Sequence, residues 1–126
     1  MSDDFKASRP IYMQIVDKIM QQIARQELKE GQKLPSVREM AIESGVNPNT
    51  IQRTYSELER MNIVETKRGQ GTFITDKREV LEEVKKKLQF DIVDRFIANM
   101  KELGMSEEGL IAELTQHLNK RKEEKS

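Results

Sequence analysis

The sequence predicts a mainly α chain with a small β-hairpin: a winged helix-turn-helix domain followed by a short two-helix domain. Three observations predict it. Two helix-start signals, Ser36-Val37-Arg38-Glu39 and Asn47-Pro48, lie either side of the tight link Gly45-Val46-Asn47. Two β-prone runs with glycines between them follow at once, and from Asp76 onward apolar residues return at helical spacing among Glu and Lys.

Pro10 opens the first helix. Ile11, Ile15, Ile19 and Ile23, with Tyr12, Val16 and Met20 beside them, give it an apolar face that runs to about Gln26. The polar stretch from Gln26 to Lys33 contains Gly31 and reads as a surface turn handing over to Leu34-Pro35. At Ser36 the hydroxyl can accept from the third helical amide while Glu39 reaches back to the cap amide, so a second helix begins at Val37. Gly45 ends it early, and Met40 and Ala41 face inward.

Asn47 can cap a third helix with Pro48 at its first position, where the missing N–H costs nothing. Ile51, Tyr55 and Leu58 form its buried stripe. The opposite face carries Asn47, Asn49, Thr50, Gln52, Arg53 and Ser56, with no carboxylate before Glu57. A solvated face usually mixes Glu with Lys; this one is suited to base edges and phosphates. Behind it, Ile63-Val64-Glu65-Thr66 and Thr72-Phe73-Ile74-Thr75 pair as a hairpin, with Lys67-Arg68-Gly69-Gln70-Gly71 at its tip. Tyr55, Leu58 and Phe73 are expected in the core. The bland alternatives are that Arg38 pairs with a nearby acid and that Lys67 and Arg68 merely keep a hairpin edge soluble.

A long helix then carries Val80, Val84, Leu88, Ile92 or Val93, Phe96, Met100 and Leu103 up to Gly104. Ser106 caps a last helix, with Met105 and Leu110 placed as a hydrophobic staple and Leu110, Ile111, Leu114 and Leu118 on its apolar face. Two helices cannot cover both stripes, so a second copy of the chain is the simplest cover. Val84, Leu88, Phe96, Met100, Leu110, Leu114 and Leu118 are therefore expected at a dimer interface. The domain boundary is placed between residues 75 and 76 (1–75 and 76–126), which makes the second part a two-helix dimerisation domain.

The chain has 126 residues, 22 basic and 22 acidic, with no cysteine and one histidine. Neutral overall charge argues against coating nucleic acid through bulk charge, whereas a local basic surface suits a specific binder. The absence of cysteine removes disulfides, thiolate metal sites and a cysteine nucleophile. The start, Met1-Ser2-Asp3-Asp4, is acidic, and no apolar run approaches membrane-spanning length, so a cytoplasmic protein without membrane attachment is expected. His117 has no second histidine or cysteine to share a metal with, and Glu82-Glu83 and Glu107-Glu108 diverge by about 100° on a helix. Neither catalysis, nor a metal, nor a cofactor is expected.

Gly31 to Ile74, with Leu34-Pro35-Ser36-Val37-Arg38-Glu39, Val46-Asn47-Pro48-Asn49-Thr50, Tyr55, Leu58-Glu59 and Arg68-Gly69-Gln70-Gly71-Thr72-Phe73, resembles the winged-helix domain of GntR-family bacterial transcription regulators. The short C-terminal part resembles their YtrA subfamily. The resemblance implies a cytoplasmic homodimer, usually a repressor, that binds a double-stranded DNA operator, often that of its own operon with an ABC transporter. It carries DNA contact over to Ser36 and Arg38; to Asn47, Asn49, Thr50, Gln52 and Arg53; and to Arg68, Gly69, Gln70 and Gly71, with Lys67 beside them. Pro48 departs from a basic residue found in some relatives, so one contact of theirs is expected to be missing. At this length the large ligand-binding or aminotransferase-like domains of other subfamilies are not expected; a small-molecule effector is compatible with the resemblance but has no dedicated pocket legible in the sequence. The competing reading is a winged helix used as a protein-interaction module without DNA binding.

Overall fold

The computed structural model describes residues 9–125, so the acidic stretch Met1-Ser2-Asp3-Asp4 lies outside the described residues. Described in chain order are α1 (Ile11–Ala24), α2 (Val37–Ser44), α3 (Pro48–Arg60), β1 (Val64–Lys67), β2 (Gly71–Ile74), α4 (Arg78–Glu102) and α5 (Glu107–Lys125). The chain divides into two compact units, Met1–Lys86 and Lys87–Ser126, so the first turns of α4 belong with the winged helix.

Local signals set the helix ends as expected. In α2 the Glu39 amide donates to the Ser36 hydroxyl at 3.1 Å and the Ser36 amide donates to the Glu39 carboxylate at 3.0 Å. These bonds hold the Glu39 carboxyl below its ordinary range. Gly45 takes the left-handed conformation, φ +67°, which lets the Val46 amide close on the Ala41 carbonyl at 3.1 Å and satisfy an otherwise orphaned acceptor. The Asn47 side-chain oxygen accepts from the Asn49 amide at 2.8 Å, with Pro48 at the first position of α3.

α3 is the hub of the first unit, packing against α1, α2 and β1. Ile51 and Leu58 are fully buried and Tyr55 nearly so. Thr54 is fully buried in the same stripe, and its hydroxyl bonds to the Thr50 carbonyl at 2.8 Å and the Tyr12 carbonyl at 3.3 Å. A buried threonine in such a stripe is tolerable only with its hydroxyl paired. From α1 the core takes Val16, Ile19, Met20 and Ile23. Ile11 is 58% exposed, against the expectation that the whole isoleucine row faces inward. Residues four apart advance by about 40° around a helix, so a row of isoleucines from 11 to 23 swings by roughly 120° and its ends cannot share one face.

β1 and β2 pair antiparallel in the register Val64↔Ile74, Glu65↔Phe73, Thr66↔Thr72 and Lys67↔Gly71. Val64, Ile74 and Leu34 are buried on the inner side. Phe73 stands on the outer side and is only half-buried, which corrects its assignment to the core. The ammonium of Lys67 covers its ring at 4.7 Å.

In the second unit Ser106 caps α5 by accepting from the Gly109 amide at 3.1 Å, and Gly104 ends α4 with φ +78°. Leu110 is buried within its own chain, and Met105 is half-buried. Ile92, Val93, Leu103, Ile111, Leu114 and Leu118 are all exposed. Among the described residues no helix is long and apolar enough to cross a membrane.

Candidate nucleic-acid interface

The buried stripe of α3 fixes which residues it presents outward. At about 100° per residue, Asn49 and Ser56 lie opposite the stripe, with Gln52 and Arg53 to either side of that line. All four are exposed. Thr50 lies at the margin, half-buried, its carbonyl held by the Thr54 hydroxyl. Asn47 is exposed at the helix start. Its side-chain oxygen is committed to the cap, which leaves its NH2 for another acceptor.

α2 brings Ser36 and Arg38 to the surface at its own N-terminus. Ser36 spends its acceptor on the Glu39 amide but retains a hydroxyl proton to donate. α2 and α3 are tied by the Tyr55 hydroxyl, which donates to the Pro35 carbonyl at 2.7 Å, directly before the Ser36 cap. Burial, reinforced by the nearby carboxylates of Glu43 and Glu39, pushes the Tyr55 phenol up to about 12, so the group stays a neutral donor.

At the wing, Arg68, Gly69 and Gln70 form the turn, with the Gln70 amide donating to the Lys67 carbonyl at 2.9 Å. Gly69 has φ +77°, a conformation costly for a side-chain-bearing residue, so the backbone at the tip stays bare. Lys67 and Gly71 are the last paired residues of the two strands rather than part of the turn.

Charge pairing separates these cations from others of the first unit. Arg9 pairs with Asp17 at 3.0 Å, Arg25 with Glu27, and Arg60 with Glu57. Among the described residues Arg38, Arg53 and Arg68 form no ion pair, and the same holds for Arg78 at the start of α4. Arg53 is instead held over the ring of Tyr12, 4.2 Å from its centroid. Glu57, the nearest acid on α3, is occupied by Arg60, which also depresses its pKa through their hydrogen bond.

Three neighbours of these residues are absent from the sequence-based set: Tyr12 beneath Arg53, Thr54 bonded to the Thr50 carbonyl, and Lys33, which bridges to Phe73 of the wing. The alternation of Lys33 (outward) with Leu34 (inward) is the strand-like signal that could have found the last of them. His117 lies on α5 against Glu113, with Nδ1 3.1 Å from its carbonyl oxygen and 3.6 Å from its carboxylate. Also in the second unit, Phe96, Met100, Leu114 and Leu118 line a cleft of about 440 Å³ rimmed by Glu113, His117 and Arg121. Val84 and Leu88 are half-buried along α4.

Comparison with known proteins gives this geometry a family. Residues 11–74 match the family described as bacterial regulatory proteins, gntR family. The chain is 56% identical over 111 residues to the uncharacterized HTH-type transcriptional regulator YhcF of Bacillus subtilis, covering 88% of this chain and 92% of that one. It is 47% identical over 73 residues to the HTH-type transcriptional repressor YtrA of the same organism, a match spanning 58% of this chain and 56% of the repressor. A GntR family transcriptional regulator from Listeria monocytogenes superposes with a TM-score of 0.83 at 39% identity, covering 86% of this chain and 96% of that one.

Proposed function

Since the chain belongs to the GntR family of bacterial regulatory proteins and is a transcriptional regulator with a DNA-binding helix-turn-helix, we propose that it is a cytoplasmic homodimeric repressor of a pseudo-palindromic operator. Each α3 enters a major groove, and the two grooves lie one helical turn apart. Asn49, Gln52 and Arg53 reach base edges and adjacent phosphates, and Thr50 contributes from the margin of the same face. Asn47, Ser36 and Arg38 hold the phosphate backbone at the two helix starts, where backbone amides already favour an anion. At the wing, Arg68 with Gly69 and Gln70 follows the flanking minor groove, and Lys67 and Gly71 support that turn from its strand ends.

The observation that carries this reading is that the three arginines assigned to this interface have no acid partner. Arg38, Arg53 and Arg68 come from three different elements, while Arg9, Arg25 and Arg60 are each neutralised by a carboxylate. Unneutralised guanidinium groups beside an acid-poor helix face are what phosphate binding requires.

Dimerisation rests on the second unit. Ile111, Leu114 and Leu118 are 62%, 44% and 52% exposed beside the cleft that Phe96 and Met100 line, more contiguous apolar surface than a short monomeric unit keeps in water. Leu88, half-buried on α4 in the same unit, is assigned to that interface with them, as is the half-buried Val84 of the first unit, whereas Leu110 supports it from within its own chain.

The test is a mobility shift with a duplex that the intact chain selects from a random-sequence pool. Arg53→Ala and Arg68→Ala are each expected to weaken binding by about 1–3 kcal/mol at physiological salt. No enriched sequence, or full affinity in both variants, would sink the DNA contacts proposed here. In parallel, sedimentation of the intact chain at micromolar concentration is expected to show a dimer; a monomer alone rejects that part.

A further inference from the structure

The wing has a third edge. The segment before α2 pairs with β2 through a bridge between Lys33 and Phe73, with the Leu34 amide donating to the Thr72 carbonyl and the Ile74 amide to the Gln32 carbonyl, both at 2.8 Å. These bonds flank the Lys33–Phe73 pair without joining it, which is the arrangement that brings facing side chains closest. Directly opposed residues share a side of the sheet, so Lys33, Glu65, Lys67, Gly71 and Phe73 all stand on the outer face. Leu34, Val64 and Ile74 occupy the inner one.

On that outer face the Lys33 side chain runs toward the hairpin tip. Its Cε lies 2.9 Å from where a Cβ on Gly71 would stand, so the stem lies flat across a strand position that has no side chain. Lys67 stands opposite Gly71 on the neighbouring strand, with its ammonium over Phe73. The carboxylate sharing this face, Glu65, accepts from the Thr75 hydroxyl at 3.3 Å, at the strand end away from the tip. Lys33 forms no ion pair among the described residues.

We propose that Lys33 is a DNA-contacting residue: its ammonium binds a backbone phosphate beside the wing, completing with Lys67 and Arg68 a three-cation surface drawn from both sides of β2. Gly71 serves this surface by leaving the track along which the lysine stem lies. The contact adds affinity without reading sequence, because it is made to phosphate alone. This inference rests on the DNA-binding reading above, and the test separates the two.

Fluorescence anisotropy of the intact chain on the selected duplex, across a salt series, compares Lys33→Met, Lys33→Arg and Arg68→Met with the parent. Methionine keeps an unbranched stem over Gly71 and Phe73 but removes the charge. Lys33→Met is expected to weaken binding about three- to tenfold and to reduce the steepness of log K against log salt by about one unit. Its preference among sequences should be unchanged, and Lys33→Arg should bind like the parent. Parental affinity and salt slope in Lys33→Met, with Arg68→Met weakened, overturns the role of Lys33 and leaves the DNA reading standing. Equal loss in Lys33→Met and Lys33→Arg also overturns it, since charge would not be what acts. Parental binding in all three variants removes both.

Discussion

The guanidinium of Arg53, on α3, lies over the ring of Tyr12, on α1, 4.2 Å from its centroid. The same Tyr12 offers its backbone carbonyl to the Thr54 hydroxyl, one residue further along α3. One residue of α1 thus touches α3 twice, through its ring at Arg53 and through its carbonyl at Thr54. An exposed cation–π contact of this kind is worth about 0.5–1 kcal/mol. Under the proposed function, its larger consequence is that the guanidinium is already ordered before DNA arrives.

Tyr12→Leu is therefore expected to weaken operator binding about two- to fivefold, in line with that energy. In an Arg53→Met background the same change should have almost no further effect. Binding constants for the four proteins of that cycle check it, and additive losses would show that Tyr12 does not act through Arg53.

Tyr55→Phe removes the hydroxyl bonded to the Pro35 carbonyl and leaves a carbonyl short of a partner. The expected loss is about 1–2 kcal/mol in denaturant unfolding. The parent should also show an alkaline dependence that the variant lacks. Burial raises the folded-state value of Tyr55 to about 12 from an ordinary 10. Its contribution is then complete below about pH 10 and is lost as pH climbs toward 12, because the unfolded chain ionises first. An equal alkaline loss in parent and variant would assign that loss to another group.

Ser36→Ala is expected to cost about 1 kcal/mol through loss of the cap on α2. It should also diminish the acid dependence contributed by Glu39, whose folded value is depressed by the Ser36 amide and hydroxyl. That stabilisation is present above the unfolded carboxyl value near 4.3 and is lost as pH falls through the lower folded one. Urea titrations at neutral and acidic pH check both effects.

Gly69→Ala places a Cβ on a residue with φ +77° in the wing turn. A destabilisation of about 1 kcal/mol is expected, with strand pairing retained and operator affinity reduced as the tip reshapes. Thermal unfolding and anisotropy read the two effects separately.

Leu118→Glu sets a carboxylate at a position that is 52% exposed on the apolar face of α5. The expected outcome is a folded chain that sediments as a monomer at micromolar concentration and shows reduced operator affinity, since two half-sites are no longer engaged together. A Leu118→Glu chain that remains dimeric would place the interface elsewhere.

The sequence by itself determined what depends on hydrogen bonds and torsions within one helical turn. The Ser36–Glu39 box, the Asn47-Pro48 start and the stops at Gly45 and Gly104 were all legible because each is decided among residues three or four positions apart. The hairpin and its glycine tip were legible for the same reason. So was the outward face of α3, because a single periodic stripe dictates what lies opposite it. Tertiary structure alone decided which distant groups meet. Tyr12 met Arg53, Tyr55 met Pro35, and Lys33 joined β2 through pairings between segments far apart in the chain, which no local period encodes. It also left Ile11 exposed, where the isoleucine row has turned away from the core, and set Phe73 on the outer side of the wing, where strand register and not apolar character decides the face.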